Sequence, residues 1–393
     1  METRPWEREE NLYPRFSRQE YERRFKAVRG MMDREGLPAL VLHGGPGAQG
    51  AVHYLSNYIP RSPAWLVYPR EGDSTLFLHF FNHIPCTKVM SIFGDVRCYW
   101  PSAAKAVADR LKELGLGRGR VGVIGLGNSI PYSQFVALQK QIPEVEFVDV
   151  SKPYNEIRWI RSEEELEWFR RSAYLTDLTC ELLERKIRPG LSEHDLSAIV
   201  HEAFLPDGGH MGIHFIATTP MADPGRFVPW QFLTPRTLQA GDVVITEITI
   251  SYWGYGAQIH RPFAVAAEPA PLYRQLFDVA WECFEQVRLA LKPGSTSEEI
   301  MEATAIIEER GFTVYDSLVH GEGGRNPEIG TKSSSHTFEP FTFQENMVIV
   351  IQPNPVTKDQ RAGLQLGSAV VVKPGGAVPL HNYPFKFPVC GGR

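Results

Sequence analysis

Two long runs of β-branched and alternating residues, joined by a short aromatic turn at Gly254, constrain the fold more than any other feature. The runs are DVVITEITIS and AQIHRPFAVA, and the turn between them is YWGYG. Residues of these types favour strands, and a glycine between two such runs favours a hairpin. The sequence therefore predicts an antiparallel hairpin that carries Glu247 and Gln258, eleven residues apart, on its two strands.

The rest of the second half shows strands and helices that are segregated rather than alternating. Residues 162–165 have the pattern of a capping box, which predicts the start of a long helix, and RPG at 188–190 predicts its end. Two more helices are predicted near 271–291 and 297–310, and HFIATT, MVIVIQP and SAVVVK are typical of strands. This arrangement indicates an α+β domain, with a curved antiparallel sheet and helices packed on one side.

The first half of the sequence alternates between helix and strand signals. Short buried strands are predicted at ALVLHG, WLVYPR, TLFLHFF and RVGVIGLG, and helical spacing occurs over residues 18–35 and 103–114. Such alternation is typical of an α/β domain. A boundary is predicted near SKPYNEIRWIRS, so we expect an N-terminal α/β domain over residues 1–155 and a second domain over residues 156–393.

Composition and charge limit the kinds of molecule that this protein is expected to bind. The sequence has 46 acidic and 41 basic residues, and the basic residues are scattered, so neither nucleic acid nor an anionic membrane is an expected partner. No N-terminal signal and no run of roughly 18 apolar residues is present, which predicts a cytoplasmic protein. The five cysteines are far apart and are expected to be reduced thiols. The expected partner is therefore a small-molecule substrate.

Several motifs in register resemble the pita-bread fold of the M24 family, which includes creatinase, aminopeptidase P, prolidase and methionine aminopeptidase. They are IRSEEELEWFRRSAYLTD, KIRPGLSEHDL, AGDVVITEITISYWGYGAQIHRPF, VHGEGG, ENMVIVIQPNP and GLQLGSAVVVK. The resemblance covers about residues 155–393, and the preceding half resembles the N-terminal domain of the creatinase and prolidase branch. It implies a pita-bread catalytic domain, a smaller creatinase/prolidase-type N-terminal domain and a homodimer.

The resemblance also identifies five positions at which the family's peptidases bind two divalent ions through two Asp, one His and two Glu. The residues at these positions are Glu247, Gln258, His320, Gln352 and Gly367. An amide oxygen is a weak, uncharged ligand and glycine offers none, so the sequence predicts no dinuclear metal centre and no cofactor. Creatinase has similarly lost the metal-binding carboxylates, and the likeness implies a metal-independent hydrolase.

The predicted reaction is creatinase-like cleavage of a C–N bond in a small non-peptide substrate, such as a guanidino, amide or zwitterionic compound. His320 is the predicted central acid/base, and Glu247, assisted by Glu322, is predicted to orient a water or the substrate amine. Gln258 and Gln352 are expected to hold the polar head of the substrate.

Four further residues are candidates for substrate contact. Trp230 and Tyr255 are aromatic, and aromatic faces attract desolvated cations. His260 follows Gln258 on the second strand and can face the pocket or the core. His214 is in a segment that borders the pocket in the family.

Two other functions are left open by the sequence. One is a lyase that abstracts a proton and eliminates a β-substituent, because VPWQF and HGEGGRNPE resemble segments of the family's dimethylsulfoniopropionate lyases. The other is a non-catalytic binding protein on a degenerate peptidase scaffold, in which Gln258 and Gln352 merely hydrogen-bond to each other.

Overall fold

The structure is a computed structural model that describes residues 13–46, 50–226, 228–322, 325–333 and 338–392. The chain divides into two compact units, Met1–Trp159 and Ile160–Arg393. The domain boundary predicted after residue 155 lies four residues earlier, inside the last helix of the first unit. Among the described residues, no helix is both long enough and apolar enough to cross a membrane.

The first unit is a mixed six-stranded sheet with helices on both faces, which confirms the predicted α/β character. Its sheet order is β4-β3-β2-β1-β5-β6. The elements are α1 (Arg18–Glu35), β1 (Ala39–Gly44), α2 (Gly50–Ser56), β2 (Ala64–Pro69), β3 (Thr75–Leu78), α3 (Ile84–Met90), β4 (Asp95–Cys98), α4 (Ala103–Glu113), β5 (Gly119–Ile124), α5 (Tyr132–Gln141), β6 (Val145–Asp149) and α6 (Ser151–Trp159).

Strand β1 shows why this sheet is buried on both sides. Leu40 and Leu42 join an apolar cluster with residues of α1, α2 and α6, while Ala39 and Val41 join a second cluster with α4 and α5. Successive side chains of a strand point to opposite faces, so a continuous apolar run is what a sheet covered by helices on both faces requires.

The second unit is a nine-stranded, largely antiparallel sheet with the path β11-β10-β12-β13-β9-β8-β7, and β14 and β15 pair with β13 and β9. This is the predicted α+β domain. Its elements are α7 (Glu163–Lys186), α8 (Glu193–Phe204), β7 (His210–Pro220), β8 (Asp242–Tyr252), β9 (Tyr255–Val265), α9 (Pro271–Ala290), α10 (Ser297–Glu302), α11 (Ile306–Glu309), β10 (Val319–Gly321), β11 (Arg325–Ile329), β12 (Val348–Ile351), β13 (Gly367–Val371), β14 (Val378–Pro379) and β15 (Val389–Cys390).

The β8–β9 hairpin is the element that positions the candidate site. Its turn holds Trp253 and Gly254 at positive φ, 45° and 82°, which matches the right-handed twist of the two strands. The register pairs Glu247 with His260 and Thr249 with Gln258. Directly opposed residues share a face, so the glutamate, the amide and the imidazole all project from the same side of the hairpin.

The other side of the hairpin is closed by the long helix α7. The hydroxyl of Ser172 donates to the Ile250 carbonyl at 2.6 Å and accepts from the Ala257 N–H at 2.7 Å, which joins both strands to the helix. The predicted capping box is present at its start, where Ser162 and Glu165 exchange hydrogen bonds. The helix therefore fixes one face of the hairpin and leaves Glu247 on the opposite face.

Candidate active site

Glu247 is held by two amides on the face of the hairpin away from α7. Its Oε1 accepts a hydrogen bond from Gln258 Nε2 at 2.8 Å, and its Oε2 accepts one from Gln365 Nε2 at 2.6 Å. Burial would raise the pKa of this carboxyl, but the neighbouring His260, the bond from Gln365 and the charge of His320 together lower it below its usual value. Glu247 is therefore ionised at neutral pH.

His320, on β10, has a carbonyl oxygen at each ring nitrogen. Nδ1 lies 2.8 Å from the Gly321 carbonyl oxygen, and Nε2 lies 3.0 Å from Gln352 Oε1. Carbonyl oxygens only accept, so a ring nitrogen of His320 that carries a hydrogen can donate it to the oxygen that it faces. Both ends of the imidazole ring are therefore placed beside a hydrogen-bond acceptor.

Gln352 connects this histidine to the hairpin. Its Oε1 faces His320 and also accepts a long hydrogen bond from Gln258 Nε2 at 3.4 Å, while its Nε2 donates to the Ser317 carbonyl at 2.7 Å. Glu247, Gln258, Gln352 and His320 consequently form one continuous, buried polar cluster. The predicted contact between the two glutamines exists, but it is one link in this cluster rather than an isolated pair.

His260 lies on the same face as Glu247 and has no exposed surface, so it forms the floor of the cluster rather than its surface. Its Nε2 is 3.0 Å from Gln258 Nε2 and 3.7 Å from Glu247 Oε2. Burial lowers the pKa of this imidazole, although Glu247 opposes the effect, so the ring is neutral at neutral pH.

Gly367 and His260 fit together sterically. A Cβ atom added at Gly367 would lie 2.6 Å from His260 Nδ1 and 2.5 Å from the Ile351 carbonyl oxygen, both closer than real Cβ contacts allow. No side chain can therefore replace this glycine without movement of the backbone. The imidazole takes up space beside a position where the family's peptidases have a metal-binding glutamate.

The residues at the five ligand positions do not fit a pair of divalent ions. Both oxygens of Glu247 already accept from amide N–H groups, and Gln258 turns its nitrogen, not its oxygen, toward that carboxylate. Across the described ranges, no group of three or more His, Cys, Asp and Glu side chains could hold a metal ion. One carboxylate and one imidazole cannot balance the charge of two such ions.

Two predicted substrate contacts, Tyr255 and His214, lie on the other face of the sheet. The Tyr255 hydroxyl donates to Glu165 Oε1 at 3.0 Å, and its ring packs against aromatic residues of α7. His214 pairs with Ile248 rather than with Glu247, and its ring lies 5.7 Å from His201 of α8. Since neighbouring strand residues alternate in direction, both side chains face the helices instead of the cluster.

Two further predicted residues have partners outside the cluster. Glu322, predicted to assist His320, instead accepts a hydrogen bond from Arg161 Nη2 at 3.1 Å. Trp230 packs on an apolar cluster of the sheet, and the guanidinium of Arg226 lies 5.0 Å from its ring centre. A cation of the protein itself thus already occupies one face of the indole.

Sequence reasoning missed three polar residues of the cluster. Gln365, which donates a hydrogen bond to Glu247, lies two residues before Gly367. A strand period of two would have placed it on the same side as Gly367. Asp316 and Asn354 lie beside Gln352, and Asn354 Nδ2 donates to Asp316 Oδ2 at 2.8 Å. Asp316 is outside the motifs quoted above, and Asn354 is in ENMVIVIQPNP, two residues after Gln352, but neither was named as a candidate site residue.

Two known proteins resemble this chain over 90% and 65% of its length. The Xaa-Pro dipeptidase of Pyrococcus horikoshii is 23% identical over 356 residues, which cover 90% of this chain and 95% of that protein. The Xaa-Pro dipeptidase of Pyrococcus furiosus is 24% identical over 258 residues, 65% of this chain and 72% of that protein.

Solved structures show the same fold. The X-Pro aminopeptidase of Thermotoga maritima superposes with a TM-score of 0.80 at 18% identity, covering 93% of this chain and 99% of that one. The prolidase of Pyrococcus horikoshii superposes with a TM-score of 0.76 at 20% identity and the same coverage. These likenesses confirm the predicted pita-bread domain and creatinase/prolidase-type N-terminal domain.

The comparisons contradict the predicted function. The sequence predicted a metal-independent, creatinase-like hydrolase of a small non-peptide substrate, whereas the relatives are Xaa-Pro dipeptidases. They also give no support to the β-eliminating lyase or to the non-catalytic binding protein. The prediction was wrong because it took the reaction from a few exchanged side chains, while the similarity of the chain as a whole is to peptidases.

Family models match both units of the chain. The creatinase/prolidase N-terminal domain matches residues 24–160, and metallopeptidase family M24 matches residues 167–374, which is more than half of the chain. The M24 match contains the hairpin, His320, Gln352 and Gly367, so the cluster described above lies inside it. The chain therefore belongs to metallopeptidase family M24, a family of hydrolases.

Proposed function

We propose that this protein is a hydrolase that cleaves the amide bond of a dipeptide-sized substrate, of the Xaa-Pro type for which its relatives are named. One observation carries the proposal. An ionised carboxylate, Glu247, and an imidazole with two facing acceptors, His320, belong to a single buried polar cluster at the positions of the family's active site. A base and an acid in one cluster are what hydrolysis of an amide requires.

In the proposed reaction, Glu247 accepts a proton from a water molecule as the water oxygen attacks the amide carbonyl carbon. His320 donates a proton to the amide nitrogen, the C–N bond breaks, and the products are an amino acid and a free imino acid. Gln258 and Gln365 hold the carboxylate in place through the hydrogen bonds described above.

The test is proline release from a panel of Xaa-Pro dipeptides by the purified full-length protein, measured by chromatography, with and without added divalent ions. Glu247→Gln and His320→Asn should each lower kcat/KM by roughly 10²–10⁴-fold, which is the usual contribution of a general acid or base. Glu322→Gln is the matched control, because Glu322 pairs with Arg161, and it should retain activity.

Two results would contradict the proposal. One is the absence of proline release from every dipeptide of the panel under all conditions. The other is release that both Glu247→Gln and His320→Asn leave unchanged.

On the resemblance alone, we also propose a cytoplasmic homodimer. Light scattering should then give a solution mass near twice the chain mass of 44.3 kDa, and a value near 44.3 kDa would contradict the dimer.

A further inference from the structure

Strands β9 and β13 separate at Gln258. The last pair in their register is Ser368 with Ile259. Ala369 would come next, opposite Gln258, but its carbonyl accepts a hydrogen bond from the Leu380 N–H at 3.0 Å, in the segment that follows β14. A buried main-chain carbonyl requires a partner, and at Gln258 that partner must come from outside β13.

His381, which follows Leu380 in the chain, contacts that carbonyl in place of the strand. Its Nε2 lies 3.1 Å from the Gln258 carbonyl oxygen, within the usual range for a hydrogen bond. The His381 side chain has no exposed surface. A carbonyl oxygen only accepts, so Nε2 donates to it when it carries a hydrogen. The histidine therefore holds the main chain of β9 at the residue whose side chain reaches Glu247.

Asp177, in helix α7, fixes the orientation of this ring. Its Oδ1 lies 2.8 Å from His381 Nδ1, and its Oδ2 accepts a hydrogen bond from the Asn382 N–H at 2.7 Å. Only 7% of the Asp177 side chain is exposed. A carboxylate at one nitrogen of an imidazole determines the orientation and the role of the other nitrogen. Both oxygens of Asp177 thus bind the segment that carries His381, and α7 sets the direction in which Nε2 points.

The hydrogen bonds continue from Gln258 into the candidate active site. The Gln258 side chain donates to Glu247, the proposed base, at 2.8 Å and to Gln352 at 3.4 Å. A side chain keeps a fixed position only when the main chain that carries it is fixed as well, and a displacement of about 1 Å in a catalytic group costs roughly 100-fold in rate. A path of hydrogen bonds therefore runs from α7 through His381 and Gln258 to the base.

We propose that His381 is a positioning residue of the active site, which acts on Glu247 through Gln258 and not by contact with the substrate. Asp177 orients the imidazole, the imidazole fixes the main chain of Gln258, and the Gln258 amide fixes the carboxylate. The inference rests on the proposed hydrolysis, in which Glu247 is the base, and deepens it by naming the residues that hold the base in place.

Two substitutions of His381 separate this role from a role in stability alone. Asparagine has its nitrogen near the place of Nδ1, so His381→Asn can keep the contact with Asp177 but is too short to reach the Gln258 carbonyl. Glutamine has its nitrogen near the place of Nε2. In the double variant Asp177→Asn with His381→Gln, the new glutamine can donate to the Gln258 carbonyl and accept from the new asparagine, which still accepts from the Asn382 N–H.

The first measurement is the rate of Xaa-Pro dipeptide hydrolysis. His381→Asn should lower kcat by about tenfold to 100-fold and change KM by less than about threefold, because the base is displaced while the substrate contacts remain. The double variant should return kcat to within about threefold of the parent value. His201→Asn is the matched control, because His201 Nδ1 also contacts a main-chain carbonyl, that of Ser197 in α8, and it should change neither constant.

The second measurement does not depend on activity. The protein is labelled with ¹⁵N-glutamine, and the NMR signals of the Gln258 side-chain amide are identified by their loss in Gln258→Asn. These signals should shift in His381→Asn, because the hydrogen bond from the amide to Glu247 changes. They should return to the parent position in the double variant and stay in place in His201→Asn.

Four outcomes would overturn the inference: a fall in the kcat of His381→Asn of less than about threefold, a change confined to KM, amide signals that do not move, or a double variant as slow as His381→Asn. If His381→Asn does not fold, Asp177→Asn with His381→Leu takes its place, because it leaves no buried charge unpaired, and the same results decide. If no protein releases proline from a dipeptide, only the proposed hydrolysis fails, and the amide signals decide the positioning role.

Discussion

Glu247 has a proposed role in stability and a proposed role in catalysis. Exchanging its carboxylate with the amide of Gln365 separates the two roles. In Glu247→Gln, the new amide can present an oxygen to only one of its two neighbours, Gln258 and Gln365. The NH₂ group of the other glutamine then points at the NH₂ group of the new residue 247, and neither group can accept a hydrogen bond. One buried donor is left unpaired, which costs about 1–3 kcal/mol of the free energy of unfolding.

The single variant Gln365→Glu has the opposite fault. It places a second carboxylate at the 2.6 Å contact that Gln365 Nε2 now makes with Glu247 Oε2. Like charges in a buried site repel, and one of the two groups must take up a proton. We expect this variant to be less stable than Glu247→Gln.

The double variant, Glu247→Gln with Gln365→Glu, restores the pairing with its direction reversed, because the amide of residue 247 can donate to the carboxylate at 365. Its free energy of unfolding should exceed the value expected from adding the two single effects, by about 1–3 kcal/mol. Activity should not return, because the carboxylate has moved from β8 to residue 365, in the segment that precedes β13. The assays are urea unfolding and dipeptide hydrolysis on the same four proteins.

The reasoning about this cluster would be refuted by additive stabilities in that cycle, or by a Glu247→Gln protein as stable as the parent. Either result would mean that the two amides do not depend on the carboxylate.

Three further predictions follow from the same contacts. The pKa of Glu247 is lowered in the folded protein, so its contribution to stability is complete above the unfolded pKa near 4.5 and is lost as the pH falls through the folded pKa. Between pH 7 and pH 3 the free energy of unfolding should therefore fall less in Glu247→Gln than in the parent protein. Gly367→Ala should lower the free energy of unfolding by about 1–3 kcal/mol, because the new methyl group is overpacked against the Ile351 carbonyl and His260, whereas Gly375→Ala, which meets no atom within 4 Å, should not. Equal urea midpoints for the two variants would contradict the steric argument for Gly367. Tyr255→Phe removes the hydrogen bond to Glu165, so its free energy of unfolding should fall by about 1 kcal/mol while its activity is unchanged. A large fall in kcat/KM would instead place Tyr255 in the active site.

The local spacing of apolar and polar residues predicted the secondary structure and the two units of the chain well. The hairpin of β8 and β9, the capping box at Ser162 and the division into an α/β and an α+β unit all follow from local patterns, and the structure shows each of them. Such features depend on residues that are close in sequence, and propensity and capping act over that range.

The candidate site was predicted in part. Glu247, Gln258, Gln352 and His320 do meet, because the motifs that carry them keep the register of the family. Tyr255 was misplaced, since the same alternation that puts Gln258 on one face puts a residue three positions earlier on the other.

Other contacts depended on distant parts of the chain. Glu322 meets Arg161 across 161 positions, Gln365 meets Glu247 across 118, and Asp316 meets Asn354 across 38. No sequence period connects such residues, so only the folded structure could bring them together. The reaction class was misjudged for a similar reason, because side-chain exchanges at a few positions were given more weight than the similarity of the whole chain.

Isotope incorporation tests the central claim, hydrolysis of an amide at this cluster, most directly. The full-length protein is incubated with alanyl-proline in water enriched in ¹⁸O, and the products are weighed by mass spectrometry. We predict free proline together with alanine that carries one ¹⁸O atom in its carboxylate, and no such product from Glu247→Gln. Release of proline without ¹⁸O in the alanine, or no release at all, would contradict the account.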